Sequence, residues 1–178
     1  MKHFLAAALI LAPVAAFAAG STSSNPPKST NTTNVCEEGF VWDLKTKACI
    51  KADETGHISD DALYDVVREL AYNGRLEDAQ IVLSAMHDQD SDAALTYWGF
   101  THRKLGNGAL ATAFYDRALE QNPDNLLARS YRAQGYVAEG MLTLAKAELS
   151  EINARGGSQT WASWSLKQAI ASGKGYSY

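Results

Sequence analysis

The sequence predicts an all-α protein made of three helix-turn-helix repeats and a C-terminal capping helix, preceded by a small disulfide-closed β-hairpin. Apolar residues three and four apart from residue 59 onward predict the helices, and small residues at a fixed interval predict the repeat. Two cysteines on either side of a short strand-like segment predict the hairpin.

Residues 1–18 are predicted to be a secretory signal peptide. Lys2 lies in a short polar start, an apolar run extends from Phe4 to Phe17, and Ala16 and Ala18 have the spacing that a signal peptidase requires. The alternative is a retained membrane anchor, but the run is shorter than the roughly 20 residues of a spanning helix. We therefore expect a periplasmic or secreted protein, without stable membrane insertion after cleavage.

The charge of the chain argues against a nucleic-acid partner. Without Lys2, 15 basic residues (16 − 1) remain against 20 acidic ones, a net charge near −5. Nucleic-acid binding depends on neutralising phosphates, and the basic residues here are scattered.

Residues 19–34 are predicted to be a disordered linker. This stretch is rich in Ser, Thr, Asn and Pro and has no aromatic or branched aliphatic residue, so it has too little apolar surface to form a core.

Residues 35–52 are predicted to form the hairpin. Phe40-Val41-Trp42 and the segment around Cys49 are separated by the polar turn 43–47. An even pair of cysteines behind an export signal indicates a disulfide between Cys36 and Cys49, and a lone pair is too few for a zinc site. The pattern C-x2-G-x2-W-D-x5-C also weakly resembles part of small chitin-binding modules, in which Trp42 would stack on a sugar ring. The interpretation that we favour is structural: Phe40 and Trp42 form the core of the hairpin or cover the first repeat.

The repeats are indicated by small residues at matching positions. Gly99 and Ala111 are twelve residues apart, as are Ala133 and Ala145, and Gly99 and Ala133 are 34 apart. The second unit contains Leu95-x2-Trp98-Gly99-x2-His102, then Gly106, Ala111-x3-Tyr115, Ala118 and Pro123. This pattern resembles the tetratricopeptide repeat, and the resemblance implies a short right-handed solenoid of helical hairpins. The alternative is an unrelated helical bundle with accidental spacing.

The repeats are placed at residues 59–158, with units at about 60–91, 92–125 and 126–158. The first and third units match the pattern less completely than the second. Trp161, Trp164 and Leu166 then predict a capping helix over 159–172, because the last unit of a solenoid would otherwise expose its apolar face. Residues 173–178 are predicted to be a loose tail.

The resemblance also implies a concave groove that binds a peptide or a helix of a partner. The first helix of each unit has a stripe of residues left over after packing, rich in the Tyr and Arg that are common at binding hot spots. About half of these aromatic residues are expected to pack against neighbouring helices, Tyr97 and Phe100 first. The positions of the carboxylate clamp found in some family members read Tyr64, Arg68, Tyr97, Leu127 and Tyr131, so that clamp is absent. The predicted groove residues are Tyr64, Arg68, Tyr72, Tyr97, Phe100, Arg103, Lys104, Tyr131 and Gln134.

No catalytic, cofactor or metal site is predicted. Asp88-x-Asp90-x-Asp92 opens like a calcium loop, but Ala93 and Gly99 stand where Gly and Glu are needed. The histidines after residue 18 lack metal-ligand spacing, and no nucleophile elbow or phosphate-binding loop occurs.

These observations predict an exported adaptor that binds an envelope protein or peptide in its groove. The alternatives are an envelope glycan-binding protein, which would use Trp42, and a structural subunit that docks through its C-terminal helix. The oligomeric state is left open.

Overall fold

A computed structural model describes residues 27–176 of the chain. The predicted signal peptide, residues 19–26 of the predicted linker and residues 177–178 of the predicted tail lie outside these residues. The described part is mostly helical, with a small antiparallel hairpin and a Cys36–Cys49 disulfide, which confirms these parts of the predicted fold. Within it, no helix has the length and apolar character needed to span a bilayer.

The elements follow one another along the chain as a short N-terminal segment, the hairpin and a series of helices. Short 3-10 turns at Ala52–Glu54 and Gly157–Gln159 precede the helices that begin at residues 60 and 161. The main elements are α1 Asn31–Asn34, β1 Phe40–Asp43, β2 Ala48–Lys51, α2 Asp60–Tyr72, α3 Leu76–Ala85, α4 Asp92–Lys104, α5 Gly108–Gln121, α6 Leu126–Ala138, α7 Leu142–Ala154 and α8 Trp161–Ser172.

The starts of α2, α4, α6 and α8 share one local design. Each helix is preceded by a residue whose side-chain oxygen accepts a backbone N–H of the first turn, as N-cap residues do. The distances are 3.4 Å at Ser59, 3.3 Å at Ser91, 2.8 Å at Asn125 and 3.4 Å at Thr160. The chain therefore restarts a helix in the same way at intervals of 32, 34 and 35 residues.

The turns inside the three helix pairs are also alike. Gly74, Gly106 and Gly140 have φ values of +80°, +86° and +76°, a region that favours glycine. After each glycine, a backbone N–H bonds to the carbonyl five residues earlier, as in a Schellman motif. Because the geometry is the same, α2–α3, α4–α5 and α6–α7 are three similar helical hairpins.

Each hairpin packs on the one before it. Helix α4 contacts both α2 and α3, α6 contacts both α4 and α5, and α8 contacts both α6 and α7. Within the second hairpin, Gly99 lies directly against the ring of Tyr115: a Cβ on Gly99 would be 2.5 Å from Tyr115 Cε1. The absence of a side chain at position 99 therefore permits the close approach of α4 and α5.

The N-terminal segment differs from the prediction. Residues 27–34 belong to the predicted disordered linker 19–34, but the structure has an ordered segment there, with helix α1 capped by Thr30. The buried carboxylate of Glu69 accepts hydrogen bonds from the backbone N–H and hydroxyl groups of Thr30 and Thr33, at 2.5–3.2 Å. Amino-acid composition did not reveal this order, because the segment is held by hydrogen bonds to Glu69, Arg75 and the backbone of Trp42 and not by apolar burial.

The β-hairpin covers the first helical pair. Its strands pair Val41 with Ile50 and Trp42 with Cys49, and the disulfide joins Cα atoms 5.6 Å apart. A loop of this size contributes roughly 3 kcal/mol in the chain-entropy model. Val41, at 1% exposed, enters the core shared with α2–α6, whereas Phe40 and Trp42 are only half-buried. Val41 therefore makes the contact with the helical core that the second of the two structural alternatives assigned to Phe40 and Trp42, and the first alternative, that Phe40 and Trp42 form the core of the hairpin itself, stays a prediction.

Candidate functional site

The nine predicted groove residues lie close together in the structure. Helices α2, α4 and α6 each contribute, and their aromatic rings form one connected cluster. The ring centroids are 5.4 Å apart for Tyr64 and Tyr97, 5.6 Å for Tyr72 and Phe100, and 4.9 Å for Phe100 and Tyr131. The hydroxyls of Tyr72 and Tyr131 also form a hydrogen bond. The sequence register therefore placed these side chains on facing helices.

Three of these rings are almost completely buried and leave little surface for a ligand to contact. Tyr97 is 0% exposed, Tyr131 2% and Phe100 4%, because the three helices are close enough for their rings to interlock. Burial raises the pKa of the Tyr97 and Tyr131 phenols well above the ordinary value. The burial of Tyr97 and Phe100 agrees with the expectation that these two rings pack against neighbouring helices, and it leaves Tyr97 to support the cluster rather than to contact a ligand.

Gln134 is also buried, beneath α8. Its amide nitrogen lies 3.4 Å from the hydroxyls of both Ser130 and Ser165, and Ser130 donates to the carbonyl of Ala162 at 2.8 Å. These contacts fix α8 on α6. Gln134 therefore docks the capping helix on α6, and it also lines the pocket that lies beside it.

The cationic residues remain more accessible. Tyr64, Arg68, Tyr72 and Arg103 are half-buried, and Lys104 is exposed. Arg68 lies 5.9 Å from the centroid of Tyr64 and 3.5 Å from Asp65. Arg103 and Lys104 both lie over the Phe100 ring, at 5.6 and 5.9 Å from its centroid. The edge of the aromatic cluster is therefore positively charged.

A pocket of about 180 Å³ opens between these helices and the C-terminal residues. It was missed by the sequence reasoning, which assigned Trp161 to the cap and Tyr176 to a loose tail. The Tyr176 ring packs edge-on against Trp161 and Trp164, at centroid distances of 5.3 and 5.1 Å. The lining residues are Ala71, Tyr72, Gly74, Leu76, Phe100, Lys104, Tyr131, Gln134, Trp161, Ser165 and Tyr176.

The acidic residues near the start of α4 have structural partners. The Asp60 carboxylate accepts the backbone N–H groups of His87 and Asp88, and the Asp92 carboxylate accepts both Asn122 and Asn125 side-chain amides. Within residues 27–176, no three His, Cys, Asp or Glu side chains are grouped so that they could hold a metal ion. Asp60 thus holds the start of α2 to the loop that follows α3, and Asp92 holds the start of α4 to the connection between α5 and α6.

Comparison of the chain with protein-family models, with curated proteins and with solved structures finds no match.

Proposed function

We propose that the protein is an exported adaptor of the tetratricopeptide-repeat type, whose groove binds a segment of an envelope protein. The repeated caps, glycine turns and hairpin contacts support a solenoid, and the disulfide is typical of proteins in oxidising compartments. The binding role rests on the open pocket. Aromatic residues of α2, α4 and α6 form part of its walls, and the cations Arg103 and Lys104 lie over the Phe100 ring beside it. Concave, largely apolar pockets with a few polar groups are where proteins bind ligands.

Site-specific photocrosslinking in the native host tests this function. A benzophenone amino acid in place of Lys104 lies at the pocket, and the same amino acid in place of Lys146 lies on the exposed side of α7. We expect protein adducts from position 104 that are absent from position 146. Equal adducts from both positions, or none from position 104, would contradict a binding groove.

A second candidate function is docking of α8 into a larger assembly. Trp164 is 45% exposed and stacks on Trp161 at 4.9 Å, so an aromatic surface is open on this helix. A benzophenone amino acid in place of the exposed Lys167 would crosslink to a partner that is bound on this face of α8. Adducts from position 167 with none from position 104 would favour docking through α8.

A further inference from the structure

We propose that the pocket binds one large apolar side chain of the partner, and that Arg103 and Lys104 bind a carboxylate adjacent to it in the partner sequence. This inference rests on the proposed function and specifies its ligand as an acidic segment with an aromatic or large aliphatic anchor.

The size and walls of the pocket fit an apolar anchor. Its volume of about 180 Å³ slightly exceeds the ~150 Å³ of a cavity that accepts a benzene ring. Its walls include the rings of Tyr72, Phe100, Tyr131, Trp161 and Tyr176. Aromatic walls favour another ring, which can pack edge-on or offset against them.

Arg103 supplies the first argument for a carboxylate. Six of the seven arginines within residues 27–176 form an ion pair with a carboxylate, and Arg103 is the one that forms none with a carboxylate of these described residues. Its guanidinium lies near the Tyr115 hydroxyl, but its buried Nε and Nη2 atoms make no well-aligned hydrogen bond within the described residues, and no carboxylate there neutralises its charge. A guanidinium presents donors in a fork that matches a carboxylate. Its place in the last turn of α4 favours a positive charge there, but the helix dipole does not supply the counter-charge that a carboxylate would.

Lys104 supplies the second argument. It lines the pocket, and neither Asp nor Glu is among the lining residues of the described chain. Burial and the neighbouring Arg103 lower the pKa of Lys104, which means that its surroundings disfavour the charged form. A bound carboxylate would offset the repulsion between these two cations.

The C-terminal residues complete the site. A Cβ on Gly175 would lie 3.3 Å from Nη1 of Arg103, so this backbone runs beside the guanidinium. The ring of Tyr176 then forms one wall of the pocket. The apolar and the charged parts of the site are therefore adjacent, and one short peptide segment can reach both.

Fluorescence polarisation with labelled hexapeptides blocked at both ends tests the ligand chemistry on the full chain after removal of residues 1–18. The central dipeptides are Asp-Phe, Asn-Phe, Asp-Ala and Lys-Phe. We expect the Asp-Phe peptide to bind about tenfold more tightly than either of the next two. The Asn-Phe peptide lacks the carboxylate, and the Asp-Ala peptide lacks the aromatic anchor. Lys104→Glu should abolish the preference for Asp-Phe and favour Lys-Phe, whereas the matched exposed variant Lys146→Glu should leave the order unchanged.

Equal affinity for Asp-Phe and Asn-Phe would overturn the carboxylate site, and equal affinity for Asp-Phe and Asp-Ala would overturn the anchor pocket. Absence of binding at about 1 mM peptide would overturn both. Adducts from position 104 together with no peptide preference in the wild-type chain would refute the ligand chemistry alone and leave the binding groove standing.

Discussion

Replacing Gly99 with alanine should destabilise the protein, although alanine is the better helix former. The new Cβ would lie 2.5 Å from Cε1, 2.7 Å from Cδ1 and 2.9 Å from Cζ of Tyr115, whereas carbon atoms prefer about 3.5–4.0 Å. The ring must move by about 1 Å, and it is fully buried between helices. Overpacking costs typically about 1–3 kcal/mol, and three clashing ring atoms argue for the upper end. Since alanine regains about 1 kcal/mol of helix propensity, we expect a net loss of about 2 kcal/mol.

Gly135→Ala is the matched control for this prediction. Gly135 lies inside α6, and its new Cβ would meet only the Cδ of Arg103, at 3.5 Å, which is an ordinary contact. We expect this variant to gain up to about 1 kcal/mol from helix propensity alone. Urea unfolding followed by circular dichroism measures both changes as shifts of the midpoint at constant slope. A Gly99→Ala protein as stable as the wild type would refute the close approach of α4 and α5.

Two further predictions concern the N-terminal part of the fold. Glu69→Leu removes the acceptor of four hydrogen bonds from Thr30 and Thr33, so we expect a loss of at least about 2 kcal/mol and faster amide exchange at residues 30–33. The exposed Glu77→Leu serves as its control, and unchanged exchange in the Glu69 variant would contradict the anchoring role. Hydrogen bonds from Lys45 and Thr46 lower the pKa of Asp43 to about 2, so its charge adds stability that is present above about pH 4 and lost as the pH falls towards 2. Asp43→Asn should therefore be less stable than the wild type at pH 7, and a difference that did not narrow between pH 4 and pH 2 would count against this assignment.

The helical part of the fold could be predicted because its signals are local. Ser59, Gly74 and Gly106 fix helix starts and turns through their own backbone and side-chain chemistry. The interval between equivalent positions then placed the groove residues on facing helices. The burial of Tyr97 and Phe100 was expected, but that of Tyr131 was not, since it depends on how closely α2, α4 and α6 approach one another.

The missed features depend on contacts between residues that are far apart in sequence. The order of residues 30–34 depends on Glu69, and the pocket depends on Trp161 and Tyr176 meeting Phe100 and Tyr131. Neither segment shows a local pattern that reveals its partner. Polar segments with few apolar residues are especially hard to assign, because a single buried carboxylate can order them.

The way in which Arg75 holds the hairpin has a consequence for protein engineering. Its guanidinium donates to the backbone carbonyls of Thr32, Cys36 and Glu37, and it is oriented by Asp78, which also accepts the backbone N–H of Gly39. All of these hydrogen bonds are made to backbone atoms of residues 32–39, so they do not depend on which side chains stand there. A cystine loop of different sequence but similar backbone path could therefore be grafted onto these helices, as long as Arg75 and Asp78 are kept and the graft retains the Thr30 and Thr33 hydroxyls and the buried Val41.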